Sequence, residues 1–308
     1  MLIILFLSVV LAVLGGCCYA YRIAFFSPKS NRERIPRVSG PQFEPYRAEI
    51  SRIFHQLHDR PCEMVTIQFF DGLILSGRYY HIQDGAPLDI GFHGYRSTPF
   101  TDFAGGSELS FAMGHNLLLV DQRSHGKSQG NTISFGILER HDVLSWIDYA
   151  LDRFGMNTQI LLYGVSMGAS TVLMASCLNL PENVKGIVAD CPYNDPLEII
   201  LHVGKSNPLP NGLIRPFVLL SARLLGGFDL QETNAAQAVK QAAVPILIIH
   251  GQADTFVPCC MSEAPALANP SLVVRHTFPG AEHAISYLVD TQRYHKLVQE
   301  FVSDILSN

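Results

Sequence analysis

Two segments of the sequence have the pattern Gly-x-Ser-x-Gly, which places a serine between two glycines. They are Gly164-Val-Ser166-Met-Gly168 and Gly126-Lys-Ser128-Gln-Gly130. A serine in this pattern can act as a nucleophile when a strand runs into the first glycine and a helix leaves the last, because the sharp turn exposes its hydroxyl. The glycines keep that strained turn free of Cβ clashes.

The residues around the two serines favour Ser166. The apolar run Gln159–Tyr163 leads directly into its first glycine, and a helix-like stretch of small residues follows its last. The apolar run before Ser128 ends near Asp121, and loop-like residues follow. We therefore predict that Ser166 is the nucleophile and that Ser128 is an ordinary loop residue.

A serine nucleophile needs a general base, and the base needs an acid that orients it. Of the histidines after Ser166, only His283 lies in a glycine-bearing loop between the last predicted strand and the terminal helix. Two aspartates, Asp254 and Asp190, each follow a predicted strand directly. Both would lie at the carboxyl ends of strands, where parallel sheets bind ligands, so the residues alone leave both open. Asp190 could otherwise serve as a loop-stabilising acceptor.

Acyl chemistry at a serine also needs two backbone N–H groups that stabilise the negative oxygen of the tetrahedral intermediate. We expect one from Met167, the residue after the nucleophile. The other should come from the loop after the third predicted strand, which contains His93-Gly94-Tyr95. Gly94 lets the backbone approach a substrate, and Tyr95 is the predicted donor.

Short apolar runs alternate with helix-like stretches along most of the chain. The predicted strands are Met64–Phe70, Leu73–Tyr80, Leu88–Phe92, Asn116–Val120, Gln159–Tyr163, Val184–Ala189, Val244–Ile249 and Leu272–Phe278. The predicted helices are Ala48–His58, Phe100–Met113, Leu138–Phe154, Met167–Leu178 and Ile285–Leu306. This alternation predicts an α/β fold, a mostly parallel twisted sheet with helices on both faces. Asp71-Gly72 predicts a two-residue hairpin turn and hence an antiparallel edge.

The segment 195–239 interrupts this alternation, because it contains no strand pattern. It holds two apolar helical stretches, Leu197–Val203 and Leu213–Leu225. An insertion of this length after the sixth strand is either a lid over the active site or plain helical packing, and we predict a small helical lid.

The N-terminal segment Met1–Tyr21 has no charged side chain. As a helix it would reach ~31 Å, about the thickness of a hydrocarbon core. We predict a transmembrane anchor over residues 1–26, a linker over 27–47 and a catalytic domain over 48–308. A cleaved export signal is one alternative, and a lipoprotein is another because Leu14-Gly15-Gly16-Cys17 resembles a lipobox.

The charges that flank this segment predict its orientation. All the nearby basic side chains follow it, namely Arg22, Lys29, Arg32, Arg34 and Arg37. The positive-inside rule then places the domain in the cytoplasm. The cysteines beyond the anchor are odd in number and lack framework-like spacing, which suits a reducing compartment.

Composition excludes several other functions. The net charge is −5, so no basic field is available to hold nucleic acid. The sequence has no phosphate-binding loop and no His or Cys spacing typical of a metal site, and Cys259-Cys260 are adjacent. We predict no cofactor, no metal and no nucleic-acid partner.

In combination, these motifs resemble the bacterial α/β-hydrolases grouped with the serine aminopeptidase and acylglycerol-lipase-like families. The motifs are His93-Gly94, Asp121-Gln-Arg123-Ser-His-Gly126-Lys-Ser-Gln-Gly130, Gly164-Val-Ser166-Met-Gly168, His250-Gly-Gln-Ala-Asp254-Thr-Phe-Val-Pro258 and Gly280-Ala-Glu-His283. They extend over about Met64 to Leu306.

The resemblance implies an α/β-hydrolase fold in which the triad residues follow one another as Ser, acid and His. It favours Asp254 over Asp190, because the acid of this family usually follows the seventh strand. It also implies hydrolysis of a carboxylic ester in a small-molecule acyl substrate, lipid-like substrates included. A peptidase or aminopeptidase-like activity, or an inactive membrane-tethered scaffold, are the alternatives.

Overall fold

A mixed β-sheet forms the centre of the computed structural model, which describes residues 2–29, 40–69, 71–204 and 209–307. Its strands are β1 (Glu63–Gln68), β2 (Ile74–Tyr80), β3 (Leu88–Phe92), β4 (Asn116–Asp121), β5 (Ile160–Val165), β6 (Val184–Asp190), β7 (Ile246–Gly251) and β8 (Val273–Phe278). The strand order is β1-β2-β4-β3-β5-β6-β7-β8. Strand β2 is antiparallel to both its neighbours, and every other adjacent pair is parallel. The predicted fold class is confirmed.

The central strands are mostly apolar because helices cover both faces of the sheet. Every residue of β3, β4 and β7 is buried. Parallel strands covered on both faces have continuous apolar runs rather than alternating ones, which is why the sequence pattern located them closely.

The helices are α1 (Leu2–Ala24), α2 (Arg47–His58), α3 (Pro99–Asp102), α4 (Ala104–Ala112), α5 (Glu139–Phe154), α6 (Met167–Ala175), α7 (Pro196–Val203), α8 (Asn211–Ser221), α9 (Ala235–Val239), α10 (Glu263–Ala268), α11 (Ser286–Val289) and α12 (Thr291–Ser307). Two predicted helices are each divided in two. Phe103 breaks the first with φ −109°. Asp290 breaks the second, and its carboxylate accepts the N–H of Arg293 at the start of α12.

The connection between β1 and β2 differs from the predicted two-residue turn, so that prediction is wrong. Phe69 N–H donates to the carbonyl of Leu73, and Gly72 N–H donates to the carbonyl of Phe69. Phe69 therefore pairs with Leu73, which is the register of a longer connection, and Gly72 has φ +85° within it. Phe70, at the end of the predicted strand, lies outside the described residues.

The insertion 195–239 folds into α7, α8, a π-helical turn at Ala222–Gly226 and α9. Most of its buried apolar side chains belong to one cluster with Met167 and Tyr193, which follow β5 and β6. His202 in α7 donates through Nε2 to the carbonyl of Thr255, in the loop after β7, at 3.0 Å. The insertion thus covers the carboxyl ends of the strands, which favours the predicted lid. Pro208, which punctuates it in the sequence, lies outside the described residues.

The N-terminal helix α1 is attached to the rest of the protein through its second half. Cys17 and Phe25 are buried, whereas the side chains before Gly16 are almost all exposed. Immediately after the helix, Phe26 forms an antiparallel bridge with Thr132. Ser27, the first residue of the predicted linker 27–47, donates its N–H to the carbonyl of Asn131 at 2.9 Å, and Pro41–Tyr46 forms a 3-10 helix. Residues 30–39 lie outside the described part, so the domain boundaries stay a prediction.

Two adjacent glycines in α1 allow the helix packing to be tested. A Cβ on Gly16 would lie 2.6 Å from the ring of Phe217 in α8, whereas a Cβ on Gly15 would meet nothing within 4 Å. We expect Gly16→Val to lower the free energy of unfolding by about 1–3 kcal/mol, because the ring must move. Gly15→Val should leave it unchanged. Thermal unfolding in non-ionic detergent measures both variants, and equal melting temperatures would contradict the packing.

Candidate active site

Ser166 stands at the sharp turn between β5 and α6. Its backbone has φ 55° and ψ −115°, a conformation that residues with a Cβ rarely adopt. The Ser166 N–H donates to the carbonyl of Asp190, at the end of β6, at 2.8 Å. Such strain persists only where the surrounding structure enforces it, which is typical of functional sites.

The glycines on either side of Ser166 allow this turn. A Cβ on Gly164 would lie 2.4 Å from the carbonyl of Gly168. A Cβ on Gly168 would lie 1.8 Å from the carbonyl oxygen of Phe92 in β3. Contacts this short to backbone atoms leave no room for any side chain, so the sequence pattern is a steric requirement for bringing α6 close to the sheet.

The three residues predicted as a triad meet at this turn. His283 Nε2 lies 3.0 Å from Ser166 Oγ, and His283 Nδ1 lies 2.7 Å from Asp254 Oδ2. A neutral imidazole with its proton on Nδ1 satisfies both contacts, since it donates to the carboxylate and accepts from the hydroxyl. The arrangement can remove the hydroxyl proton while the carboxylate fixes the ring.

The surroundings of Asp254 keep it ionised. Burial alone would raise its pKa, but hydrogen bonds from His250 and His283 hold the pKa at about 2. The N–H groups of Phe256 and Val257 also donate to Oδ1, at 3.0 and 2.8 Å. Carboxylates with several such donors stay charged at neutral pH, which suits Asp254 to stabilising a protonated histidine.

Asp190, the alternative acid, has a different position. Tyr294 donates its hydroxyl to Asp190 Oδ2 at 3.1 Å, and Oδ1 has no partner within the described residues. Burial raises the pKa of Asp190 to about 6. Its backbone carbonyl holds the amide of Ser166, but its carboxylate forms no described hydrogen bond to His283. The geometry therefore favours Asp254 as the acid, whereas Asp190 holds the backbone of Ser166 through its carbonyl.

The two predicted oxyanion donors flank the serine. Met167 is the first residue of α6 and is buried. Tyr95 follows Gly94, whose added Cβ would lie 3.2 Å from the Cβ of Ser166, so this loop passes close to the predicted nucleophile. Within the described residues, neither the Met167 nor the Tyr95 N–H has a hydrogen-bond partner, which leaves both amides available to a substrate oxygen.

The side chains of the loop after β3 also contact the N-terminal segment, which the sequence does not indicate. Tyr95 donates its hydroxyl to the carbonyl of Ala24, the last residue of α1, at 2.8 Å. The Arg96 guanidinium donates to the carbonyls of Ile23 and Phe26 at 2.9 and 3.1 Å. These contacts join segments about 70 residues apart, and no local pattern in the sequence indicates them.

Comparison with known proteins gives the fold its name. A family model described as "alpha/beta hydrolase fold" matches residues 100–236. The esterase Pf2001 of Pyrococcus furiosus is 23% identical, with a TM-score of 0.63 and coverage of 88% of this chain and 99% of that chain. Est1E of Butyrivibrio proteoclasticus, solved with ferulic acid bound, is 20% identical, with a TM-score of 0.62 and coverage of 79% and 100%. The chain has the α/β-hydrolase fold.

A sequence relative extends over nearly the whole chain. The uncharacterised protein YqkD of Bacillus subtilis is 23% identical over 97% of this chain and 95% of its own length. The predicted resemblance to α/β-hydrolases is confirmed. In this fold the oxyanion donors are the residue after the nucleophile and a residue of the loop after β3, and Met167 and Tyr95 occupy those positions.

The second Gly-x-Ser-x-Gly segment stabilises the fold, because its serine bonds to the backbone of two strands. Ser128 is buried, donates its hydroxyl to the carbonyl of Asp121 at 2.5 Å, and accepts the N–H of Ser76 at 2.8 Å. It thereby ties the loop after β4 to β2. Its hydroxyl is occupied by backbone groups on both sides.

One group of potential metal ligands occurs among the described residues. The ligand atoms of Cys191, Asp254 and His283 lie within 4.8 Å of one another. The group fits a metal poorly, because burial raises the pKa of the Cys191 thiol well above its usual range and metals bind the thiolate. Both ring nitrogens of His283 also have partners. The absence of a metal cofactor stays a prediction.

The two serines should differ in what they contribute to stability. Ser128→Ala leaves the buried N–H of Ser76 unpaired and should cost about 1–3 kcal/mol of unfolding free energy. Ser166→Ala keeps the same backbone and should change it by less than about 1 kcal/mol. Urea unfolding of both variants measures the difference. A larger loss of unfolding free energy for Ser166→Ala than for Ser128→Ala would contradict the structural role of Ser128.

Proposed function

We propose that this protein is a serine hydrolase that cleaves a carboxylic ester through a covalent acyl-enzyme, and that α1 holds it at a membrane. The observation that carries the proposal is the unbroken hydrogen-bond chain from Ser166 Oγ through His283 to Asp254. The esterases among proteins of the same fold support the hydrolase class.

In the proposed reaction, Ser166 Oγ attacks the carbonyl carbon of the ester while its proton passes to His283 Nε2. The carbonyl oxygen becomes an oxyanion, which accepts hydrogen bonds from the amides of Met167 and Tyr95. Collapse of this intermediate breaks the bond to the alcohol, which leaves with the proton from His283. Water, activated by the same histidine, then attacks the acyl-enzyme and releases the acid. Asp254 stabilises the imidazolium in both halves.

The ester preference has two alternatives. A peptidase or aminopeptidase-like hydrolase would use the same three residues, and an inactive scaffold would not turn over any substrate. Rates for p-nitrophenyl esters of increasing acyl length, compared with aminoacyl-nitroanilides, distinguish these activities. Higher rates for the nitroanilides would favour the peptidase, and no turnover of either set would favour the scaffold.

The membrane part of the proposal rests on α1. Among the described residues, this is the one helix long and apolar enough to cross a membrane. Its 23 residues would span ~35 Å, and the hydrocarbon core is about 30 Å thick. Cys17, at the lipobox-like position, is buried, which favours retention of the helix over cleavage.

We also propose that the domain lies in the cytoplasm. The exposed cations Arg22 and Lys29 follow the apolar stretch, as the positive-inside rule requires. Arg32, Arg34 and Arg37 lie outside the described residues. An exported domain or a lipoprotein are the alternatives. Accessibility of an exposed thiol, such as that of Cys62, to an impermeant reagent in intact cells distinguishes the two orientations.

A fluorophosphonate probe tests the nucleophile. We expect the wild type to be labelled, because the probe traps an activated serine. Ser166→Ala should abolish labelling, and Ser128→Ala should keep it, with in-gel fluorescence as the measurement. Loss of labelling in a folded Ser128→Ala variant, with labelling kept in Ser166→Ala, would overturn the proposal.

Paired substitutions of the two aspartates test the acid. Asp254→Asn should lower kcat for a p-nitrophenyl ester by about 10⁴-fold, because the amide no longer holds the required tautomer of His283. Asp190→Asn should lower kcat by less than about ten-fold, since the amide oxygen can still accept from Tyr294. Steady-state kinetics of both variants give the ratio. The opposite ranking would assign the acid to Asp190.

A further inference from the structure

The lid helix α8 carries an apolar stripe that includes its contact with α1. Leu213, Phe217, Leu220 and Leu224 follow one another at helical spacing, so they lie along one face of α8 and the turn after it. The three leucines are exposed, Leu213 and Leu224 by 59% and 60%. Phe217 lies against Gly16 of α1. The stripe therefore continues the apolar surface of the N-terminal helix.

The opposite face of the same helix packs against the rest of the protein. Val218 and Ala222 are buried in the apolar cluster that also contains Met167. The exposed stripe is thus not a poorly packed core face. A contiguous exposed apolar surface of this kind marks an interaction site in soluble proteins and a lipid-facing site in membrane proteins.

The first charged residue of α1 indicates what covers the stripe. Arg22 follows the uncharged stretch and is exposed in the last turn of the helix. Gly16, which packs on Phe217, lies six residues earlier, or ~9 Å along the helix. If Arg22 lies at the headgroups, the contact with α8 lies ~9 Å deeper, which agrees with the ~5–10 Å to which amphipathic helices enter the interface.

The charge at the end of α1 agrees with a membrane interface. Arg22 in the last turn of α1 is exposed. Long basic side chains at the edge of an apolar surface bury their methylenes and place the cation among anionic headgroups. An apolar surface that ends at an exposed arginine fits a bilayer that contains anionic phospholipid.

We propose that α8 and the π-helical turn Ala222–Gly226 are embedded in the bilayer interface beside α1, so that the lid side of the active site faces lipid. The inference rests on the proposed membrane anchor and adds the orientation of the catalytic domain. The oxyanion loop is attached to the same unit, because Tyr95 donates to Ala24 at the end of α1. An acyl substrate dissolved in the bilayer would then reach Ser166 without crossing bulk water.

Tryptophan quenching by brominated lipid tests the depth of the lid. We compare Leu224→Trp with Met156→Trp as a matched control. Met156 is also an exposed apolar residue, with 69% exposure, and it precedes the amino end of β5, whereas the lid lies at the carboxyl ends of the strands. Trp146, the one native tryptophan, is buried and adds a constant background. The full-length variants are reconstituted into vesicles of anionic and zwitterionic phospholipid with bromine on the acyl chains.

We expect the added emission of Leu224→Trp to be roughly two-fold or more lower in brominated vesicles than in the same vesicles without bromine. The reason is that a side chain at the depth of an interfacial helix contacts the acyl chains. Met156→Trp should be unchanged. If the protein floats with the vesicles in a density gradient but both variants are quenched equally, the lid proposal is overturned and the anchor is retained. Failure to float would overturn both. Fluorophosphonate labelling of the same samples reports on the hydrolase proposal separately and confirms folding.

Discussion

The contact between helix α6 and strand β3 is the constraint on which the rest of the site depends. Gly168 packs so closely on the carbonyl of Phe92 that no Cβ fits between them. This contact lets the chain turn sharply at Ser166 and holds its backbone at φ 55°. The serine hydroxyl is thereby presented at the carboxyl ends of the strands, where His283 reaches it from the loop after β8. Without this approach of helix and sheet, the three side chains would not converge.

Asp254 and Asp190 are both buried, but their surroundings give their carboxyl groups different pKa values. Asp254 is surrounded by donors, including two backbone amides and His283, and its pKa of about 2 keeps it charged. Asp190 has fewer donors and a pKa of about 6. Asp190 is the last residue of β6 and Asp254 lies three residues beyond the end of β7, so two neighbouring strand ends hold carboxyl groups with different pKa values.

Much of the fold could be predicted, because buried parallel strands and a steric turn leave local signals. Leu88–Phe92 was located at its observed bounds, and Ser166 and His283 came from motif and loop position. The choice of Asp254 needed the resemblance to a family, since Asp190 has the same local pattern. The break at Phe103 has no proline or glycine at that position and left no signal, whereas Asp290 accepts the N–H of Arg293 and is a residue type that favours a helix start. The contact of Tyr95 with Ala24 joins distant segments, and only the folded chain brings them together.

The central claim is that Ser166 carries the acyl group during turnover. Acid quenching of the enzyme during hydrolysis of a p-nitrophenyl ester, followed by peptide mass spectrometry, tests this most directly. Acyl transfer to a nucleophile splits the reaction into two steps, so the intermediate should be present in the quenched sample. The account predicts an added acyl mass on the peptide that contains Ser166. An acyl mass on the peptide that contains Ser128 instead would contradict it.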